Sequence, residues 1–254
     1  MPDIDHLSYS SITSYLMCGE AWRRHYVAKE PAPVADALVL GSAFHGAVET
    51  YLRMGGDLAA AYERAWGIQL ERDQNIAWEN GTPDQTHAAG LRMANARPVR
   101  DMLDMVRANF DPEHGVIERR VELQVPGVPV PIVGYIDGIT KDGVPGDFKT
   151  AARMWSEDKA EDEIQPLFYL AALNQEGVQV PDWTFRHYVV SKTLKPDAKV
   201  FEARHRPMEV FGLFEIIKRA WEGIERGVYL MQTDGWLCSP KYCSYWAGCR
   251  AKYR

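Results

Sequence analysis

The stretch Val130-Pro131-Ile132-Val133-Gly134-Tyr135-Ile136-Asp137-Gly138-Ile139, followed by Gly146-Asp147-Phe148-Lys149-Thr150, decides the fold. The first segment is rich in β-branched and aromatic residues, and Lys141-Asp142-Gly143 between the two is a turn signal, so they read as adjacent strands. Strand alternation places Asp147 and Lys149 on one face and Phe148 on the other. Where Asp137 lies depends on register. A loop with an odd number of residues, such as Lys141 to Gly143, sets Asp137 opposite Asp147, whereas a two-residue Asp142-Gly143 turn sets it opposite Phe148. Pro145 cannot donate to a ladder, which implies a late or bulged start to the second strand.

Two carboxylates brought together on a rigid sheet are hard oxygen ligands for Mg²⁺ or Mn²⁺. A lysine beside them can orient or help deprotonate a water and oppose charge building on a phosphorane. An isolated Asp-x-Lys is also a common solvated strand face, so its meaning depends on the surrounding chain.

Working outward, Val121, Leu123 and Val125 alternate with Glu122 and Gln124, which completes a three-stranded meander beginning near Val116. Everything before it is helical in pattern. One helix is expected from Ser10 to Val27 with Ser10 or Ser11 as cap, another from Gly41 to Met54 closed by Gly55-Gly56, and a third from Asp57 to about Asp73. Pro83 to Phe110 reads as one or two more. After the meander come a helix over Glu157 to Gln175, strands over Trp183 to Lys192 and Lys199 to His205, and a last helix over Met208 to Tyr229. That order is an α/β arrangement around a mixed sheet flanked by helices.

Cys18 stands alone near the start, while Cys238, Cys243 and Cys249 crowd the end with C-x4-C-x5-C spacing. The tail around them has too few aliphatic neighbours to bury three thiols, so they read as thiolate ligands that tie both ends of the chain to one object. Four thiolates hold either a tetrahedral zinc or a [4Fe–4S] cluster, and the loose spacings favour the cluster. Two disulfides would need an oxidising compartment. The first residues lack a basic region followed by an apolar one, and no apolar run approaches a membrane span. The expectation is a cytoplasmic protein without membrane contact, where cysteine sets are metal ligands.

With 254 residues, 46% of them hydrophobic and 25% charged, the chain can bury a full core as a single domain. A net charge of -6 excludes a surface basic all over, so nucleic acid must be met by a local patch. Arg23 and Arg24 near Cys18, with Lys241, Arg250, Lys252 and Arg254 near the late cysteines, form a candidate collar carrying Tyr242, Tyr245 and Trp246. It suits a single strand through phosphate charge and base stacking. The same aromatics equally suit shielding a cluster from solvent. His45 and Glu49 share a helical stripe apart from the apolar Phe44, Ala47, Val48 and Tyr51, which alone suggests only a surface histidine. Glu49 and Glu122 are further carboxylate candidates. His25, His87, His114, His187 and His205 have no partner motif.

Taken in order, Gly41-Ser-Ala-Phe-His45, Asp137, Asp147-x-Lys149 and Gln165-Pro-Leu-Phe-Tyr169 resemble the successive motifs of the PD-(D/E)XK nucleases in their RecB-like branch. The arrangement of one early and three late cysteines is similar to that branch's iron–sulfur members, among them CRISPR-associated adaptation nucleases, the AddB nuclease domain and phage exonucleases. The resemblance runs from Ser8 to Cys249. It departs from the family pattern in one place, since the first gap among the late cysteines is four residues where a closer pair is usual.

The resemblance implies a restriction-endonuclease-like α/β core over residues 116–206. A mainly helical part over 1–115 would precede it, and a last helix with a cluster-binding tail over 207–254 would follow. His45, Asp137, Asp147 and the Phe148 carbonyl would hold Mg²⁺ or Mn²⁺, Lys149 would be the catalytic lysine, and Gln165 and Tyr169 would position the lysine or the DNA. Cys18, Cys238, Cys243 and Cys249 would hold the cluster in a structural role. The implied activity is exonuclease action on single-stranded or frayed DNA ends in recombination, repair, phage DNA processing or CRISPR adaptation, with a recombination or CRISPR-integration protein as a possible partner. The alternatives are a non-catalytic DNA-binding or CRISPR-integration module that keeps the fold, and a zinc-stabilised binding protein.

Overall fold

The computed structural model describes residues 4–79, 81–110, 117–233 and 237–252, the side chains of 250–252 excepted. Val116, His114 and Arg254 of the sequence reading lie outside them. In chain order the elements are β1 (Leu7–Ser8), α1 (Tyr9–Met17), α2 (Gly19–Trp22) running into a π-helical turn (Arg23–Val27), β2 (Val34–Ala35), α3 (Asp36–Met54), α4 (Leu58–Arg72), β3 (Ile76–Ala77), α5 (Pro83–Asn95), α6 (Arg97–Ala108), β4 (Ile117–Leu123), β5 (Ile132–Ile139), β6 (Pro145–Ala151), α7 (Glu157–Glu161), α8 (Gln165–Gln175), β7 (Thr184–Ser191), β8 (Ala198–Arg204), α9 (Val210–Glu225) and α10 (Trp246–Lys252). The chain forms two compact units, one of Met1–Pro33, Glu122–Gly134 and Met208–Arg254, the other of Val34–Val121 and Tyr135–Pro207.

The second unit is built on β6. Its start pairs antiparallel with the end of β5, Gly138 with Gly146 and Ile139 with Pro145. From Gly146 to Ala151 it pairs parallel with β7, which pairs antiparallel with β8. A parallel neighbour needs a crossover, and α7 and α8 supply it. Thr140 N–H donates to Val144 O at 3.1 Å and Gly143 N–H to Thr140 O at 2.8 Å, so the turn holds Lys141, Asp142 and Gly143, and Gly143 takes the left-handed φ of 78° that the turn requires. This is the odd-loop register, and Pro145 is the first residue of its strand, where it forfeits no ladder bond. Arg186 on β7 clamps the loop by donating to Thr140 Oγ1 at 3.0 Å and Asp142 Oδ2 at 2.7 Å.

On one face of this sheet Phe148 stacks on Tyr188 with ring centroids 4.8 Å apart, and α3 and α6 pack on that face with α4 behind α3. The buried residues of α3, Val39, Leu40, Ala43, Phe44, Ala47, Val48 and Tyr51, recur at helical spacing and fix its roll. The opposite face takes α8, where Tyr169 stacks on Phe185 at 5.6 Å. Because α8 is buried from Pro166 to Leu173, its apolar residues run all round and carry little helical period.

In the first unit β1 pairs parallel with the start of β5, Leu7 with Ile132. Ser8, not Ser10 or Ser11, caps α1 in a capping box with Ser11. The continuous helix expected to Val27 breaks at Cys18, whose φ of -162° and ψ of 102° are extended. The cause is the segment after α9. Glu20 N–H donates to Leu230 O at 3.3 Å, and a Cβ on Gly19 would stand 2.9 Å from Leu230 N, so the chain must turn to let that segment pass. The helix expected over Glu157 to Gln175 is likewise two helices, with Pro166 starting the second.

Candidate active site

The site lies in the second unit, where β5 and β6 part company. Their ladder ends after Gly138–Gly146, and the next pair in register is Asp137 opposite Asp147. Phe148 N–H therefore finds no backbone acceptor on β5, and Asp137 Oδ2 accepts it instead at 2.6 Å. Both carboxylates are buried. Lys149 Nζ lies 2.7 Å from Asp147 Oδ2, which makes no other hydrogen bond among the described residues, and donates to Gln165 Oε1 at 2.8 Å. Gln165 Nε2 in turn donates to Tyr169 OH at 3.0 Å across one turn of α8.

His45 reaches the same fork from α3. Its Nε2 is 2.9 Å from Asp137 Oδ2 and its Nδ1 is 3.4 Å from Glu118 Oε1. Ligand atoms of His45, Glu118 and Asp137 all lie within 4.8 Å of one another. Glu118 sits at the start of β4 with φ of 60°, a region that a non-glycine residue occupies at a cost and that recurs at functional sites.

Three carboxylates, Asp137, Asp147 and Glu118, face two cationic groups, His45 and Lys149. The imbalance shows in their protonation. Burial disfavours a charged His45, but the hydrogen bond and charge of Asp137 outweigh it, with help from Glu118 and Asp147, and raise its pKa to about 9. Asp147 is pushed up by burial first and then by the charge of Asp137, against Lys149 and His45. Burial chiefly raises Glu118 as well. Protons thus hold a place that a divalent cation fits by charge and by oxygen donor set.

The structure brings His45, Asp137, Asp147, Phe148, Lys149, Gln165 and Tyr169 to one place. Glu49 pairs with Arg53 at 2.9 Å and stands close enough to Glu118 for its charge to help raise that carboxyl, while Glu122 belongs to the first unit. Glu118 joins the site without a sequence signal, since Ile117-Glu118-Arg119-Arg120 carries no alternation that marks its carboxylate. His187, left without a role, is fully buried on β7 in register with Asp147. Burial lowers its pKa to about 4, and neither ring nitrogen has a hydrogen-bond partner among the described residues.

In the first unit Cys18, Cys238, Cys243 and Cys249 are free thiols that line one cavity of about 600 Å³. Gln232 N–H donates to Cys18 Sγ at 3.5 Å, and Cys249 Sγ is 3.0 Å from Met231 Sδ. The expected basic collar is spent internally in part. Arg23 and Arg24 both bind Glu20, at 2.8 and 2.9 Å, while Lys241 lies over the Tyr242 ring at 5.1 Å. The side chains of Arg250 and Lys252 lie outside the described residues.

A family model of the PD-(D/E)XK nuclease superfamily matches residues 6–250. The chain belongs to that superfamily. Among solved structures it is similar to the crystal structure of a "Putative exonuclease" from Eubacterium rectale, with a TM-score of 0.60, 12% identity and coverage of 98% of this chain and 88% of that one. At that identity the likeness is one of fold. The crystal structure of SSO0001 aligns over 96% of each chain with a TM-score of 0.38 and 12% identity. No curated protein matches the chain. No helix among the described residues is long and apolar enough to cross a membrane.

Proposed function

We propose that this chain is a Mg²⁺- or Mn²⁺-dependent deoxyribonuclease, an exonuclease acting on single-stranded or frayed DNA ends. The observation that carries the reading is the fork itself, where Asp137 and Asp147 stand opposite each other with His45 on one side and Lys149, held by Gln165, on the other. His45, Asp137 and Asp147, with the Phe148 carbonyl and Glu118, would hold the ion. A divalent ion there supplies Lewis acidity to a scissile phosphate and eases deprotonation of water. The chain's own part is positional. Gln165 and Tyr169 fix the Lys149 ammonium, which opposes charge on the phosphate and can donate a proton from Nζ to the leaving oxygen.

The four cysteines support a [4Fe–4S] cluster over zinc. A tetrahedral zinc with bonds of about 2.3 Å draws its sulfurs to roughly 3.8 Å from one another. Here no three of the four thiols come within 4.8 Å, yet all four face one cavity, a spread that suits a centre of several atoms. End-labelled single and double strands, incubated anaerobically with Mg²⁺, Mn²⁺ or chelator, test the activity. Metal-dependent loss of the end label that disappears in Asp147→Ala and Lys149→Ala is the expected result, and cleavage persisting in either folded variant overturns the assignment.

A further inference from the structure

Arg24 lines the thiol cavity, where it is the one cation and Glu20 the one carboxylate among the described lining residues. Its side chain is only 11% exposed. Three contacts immobilise the guanidinium: Nε donates to Glu20 Oε1 at 2.9 Å, Nη1 donates to Glu30 Oε2 at 3.1 Å, and the carbon lies 5.9 Å from the centre of the Tyr245 ring. A Cβ on Gly248 would stand 3.4 Å from Nη1, ordinary contact distance, so the tail beside Cys249 packs against the guanidinium. Arg23 and Arg24 both reach back to Glu20 at helical i+3 and i+4 spacing, where α2 runs into the π-helical turn over Arg23–Val27.

Such a fixture is more than a side-chain packing solution. A near-buried arginine gives up hydration that its partners must replace. Glu20 shares its charge with Arg23, and Glu30 is 40% exposed and therefore screened by solvent. The guanidinium's charge reaches the thiols across the cavity, where it opposes the burial that raises the Cys249 thiol. An iron–sulfur centre with four thiolate ligands is a net anion, and its potential responds to nearby charge.

We propose, on the reading that the four cysteines hold an iron–sulfur cluster, that Arg24 is the fixed counter-charge of that centre, retaining it in the protein and setting how readily it accepts an electron. Arg24 acts through the thiolates and is a positioning residue. Glu30 tunes it by drawing charge outward.

The test uses the full chain purified anaerobically, with iron and sulfide content, rate of iron loss to a chelator, and midpoint potential by spectroscopically monitored redox titration. Arg24→Met should lose iron about tenfold faster and shift the potential negative by about tenfold in the reduction equilibrium, ~59 mV for a one-electron couple. Arg24→Lys should restore most of the potential, and Glu30→Gln, which leaves Arg24 in place, should shift it positive. A folded Arg24→Met that binds no iron while Arg24→Lys does also supports the counter-charge. Should Arg24→Met not fold, the sign of the Glu30→Gln shift decides. Potentials unchanged in Arg24→Met or in Glu30→Gln overturn the inference. Wild-type protein without iron and sulfide would instead sink the cluster reading on which it rests.

Discussion

Divalent metal binding at the fork should be coupled to proton release, and the structure fixes the sign. In the metal-free protein His45 has a pKa near 9, so it is charged at neutral pH, whereas a metal-ligating imidazole must be neutral. Each proton displaced by the metal changes the binding constant tenfold per pH unit, about 1.4 kcal/mol. His45 alone therefore makes Mn²⁺ binding about tenfold weaker for each unit of acidification between roughly pH 8 and 6. Asp147, raised by burial and by Asp137, steepens the dependence where it too carries a proton. His45 is 32% exposed, and solvent screening lessens its shift, but the slope persists wherever the imidazolium outnumbers the neutral form.

Stability moves in the matching direction. The raised pKa of His45 stabilises the metal-free fold fully below the ordinary imidazole range, and that contribution is lost as pH rises through about 9. The raised Asp147 likewise favours the metal-free fold in acid and loses that contribution as pH climbs above the ordinary carboxylate range. Bound metal replaces both protons, so the rise in Tm that Mn²⁺ produces should grow with pH. Calorimetric titration with Mn²⁺ in two buffers of different ionisation enthalpy counts the protons, and His45→Asn should remove one of them. An affinity flat across this pH range, with no proton released, would refute the charge balance drawn for the site.

Glu118→Gln should weaken Mn²⁺ about 10–100-fold without unfolding the protein, read by titration of free Mn²⁺; an unchanged affinity removes Glu118 from the site. Asp147→Asn should abolish cleavage yet raise the Tm of the metal-free protein at about pH 8, because it deletes a buried carboxylate held against its preference. Cys18→Ser should lose iron and lower the Tm about as much as Cys243→Ser, since metal binding here is coupled to holding together a unit made of three chain segments; full iron content in Cys18→Ser reduces that cysteine to packing. Leu103→Ala, at a fully buried position under the sheet, should cost about 2–5 kcal/mol in denaturant titration.

How much of this was legible follows from what each signal measures. Alternation and turn chemistry locate β5, β6 and the turn between them because both are local. The register that sets Asp137 against Asp147 follows from the three-residue turn, but its choice over the two-residue alternative is backed by the clamp of Arg186 on Thr140 and Asp142, more than forty residues away in sequence and outside any local pattern. The break at Cys18 answers to Leu230 for the same reason. Two-residue strands such as β1 are too short to alternate, and the boundaries of the two units fall at β4 and within β5, where the sequence has no linker to mark them. Motifs on α3 and α8 supplied His45 and Gln165, whereas Glu118 depends on a strained backbone that composition does not announce.

The fork explains why the site needs these residue types together. A sheet that splits leaves a backbone donor stranded, and an unmet buried N–H costs about 1–3 kcal/mol. Asp137 answers the Phe148 N–H, but in doing so it brings a second buried carboxylate beside Asp147, and His45 and Lys149 face both of them together with Glu118. Removing Asp137 would therefore do more than delete a metal ligand. It would leave the Phe148 amide unpaired and release His45 from its ion pair. In this fold the opening in the sheet, the carboxylate that repairs it and the demand for a cation are one structural fact, so the strand geometry and the chemistry are inseparable at Asp137.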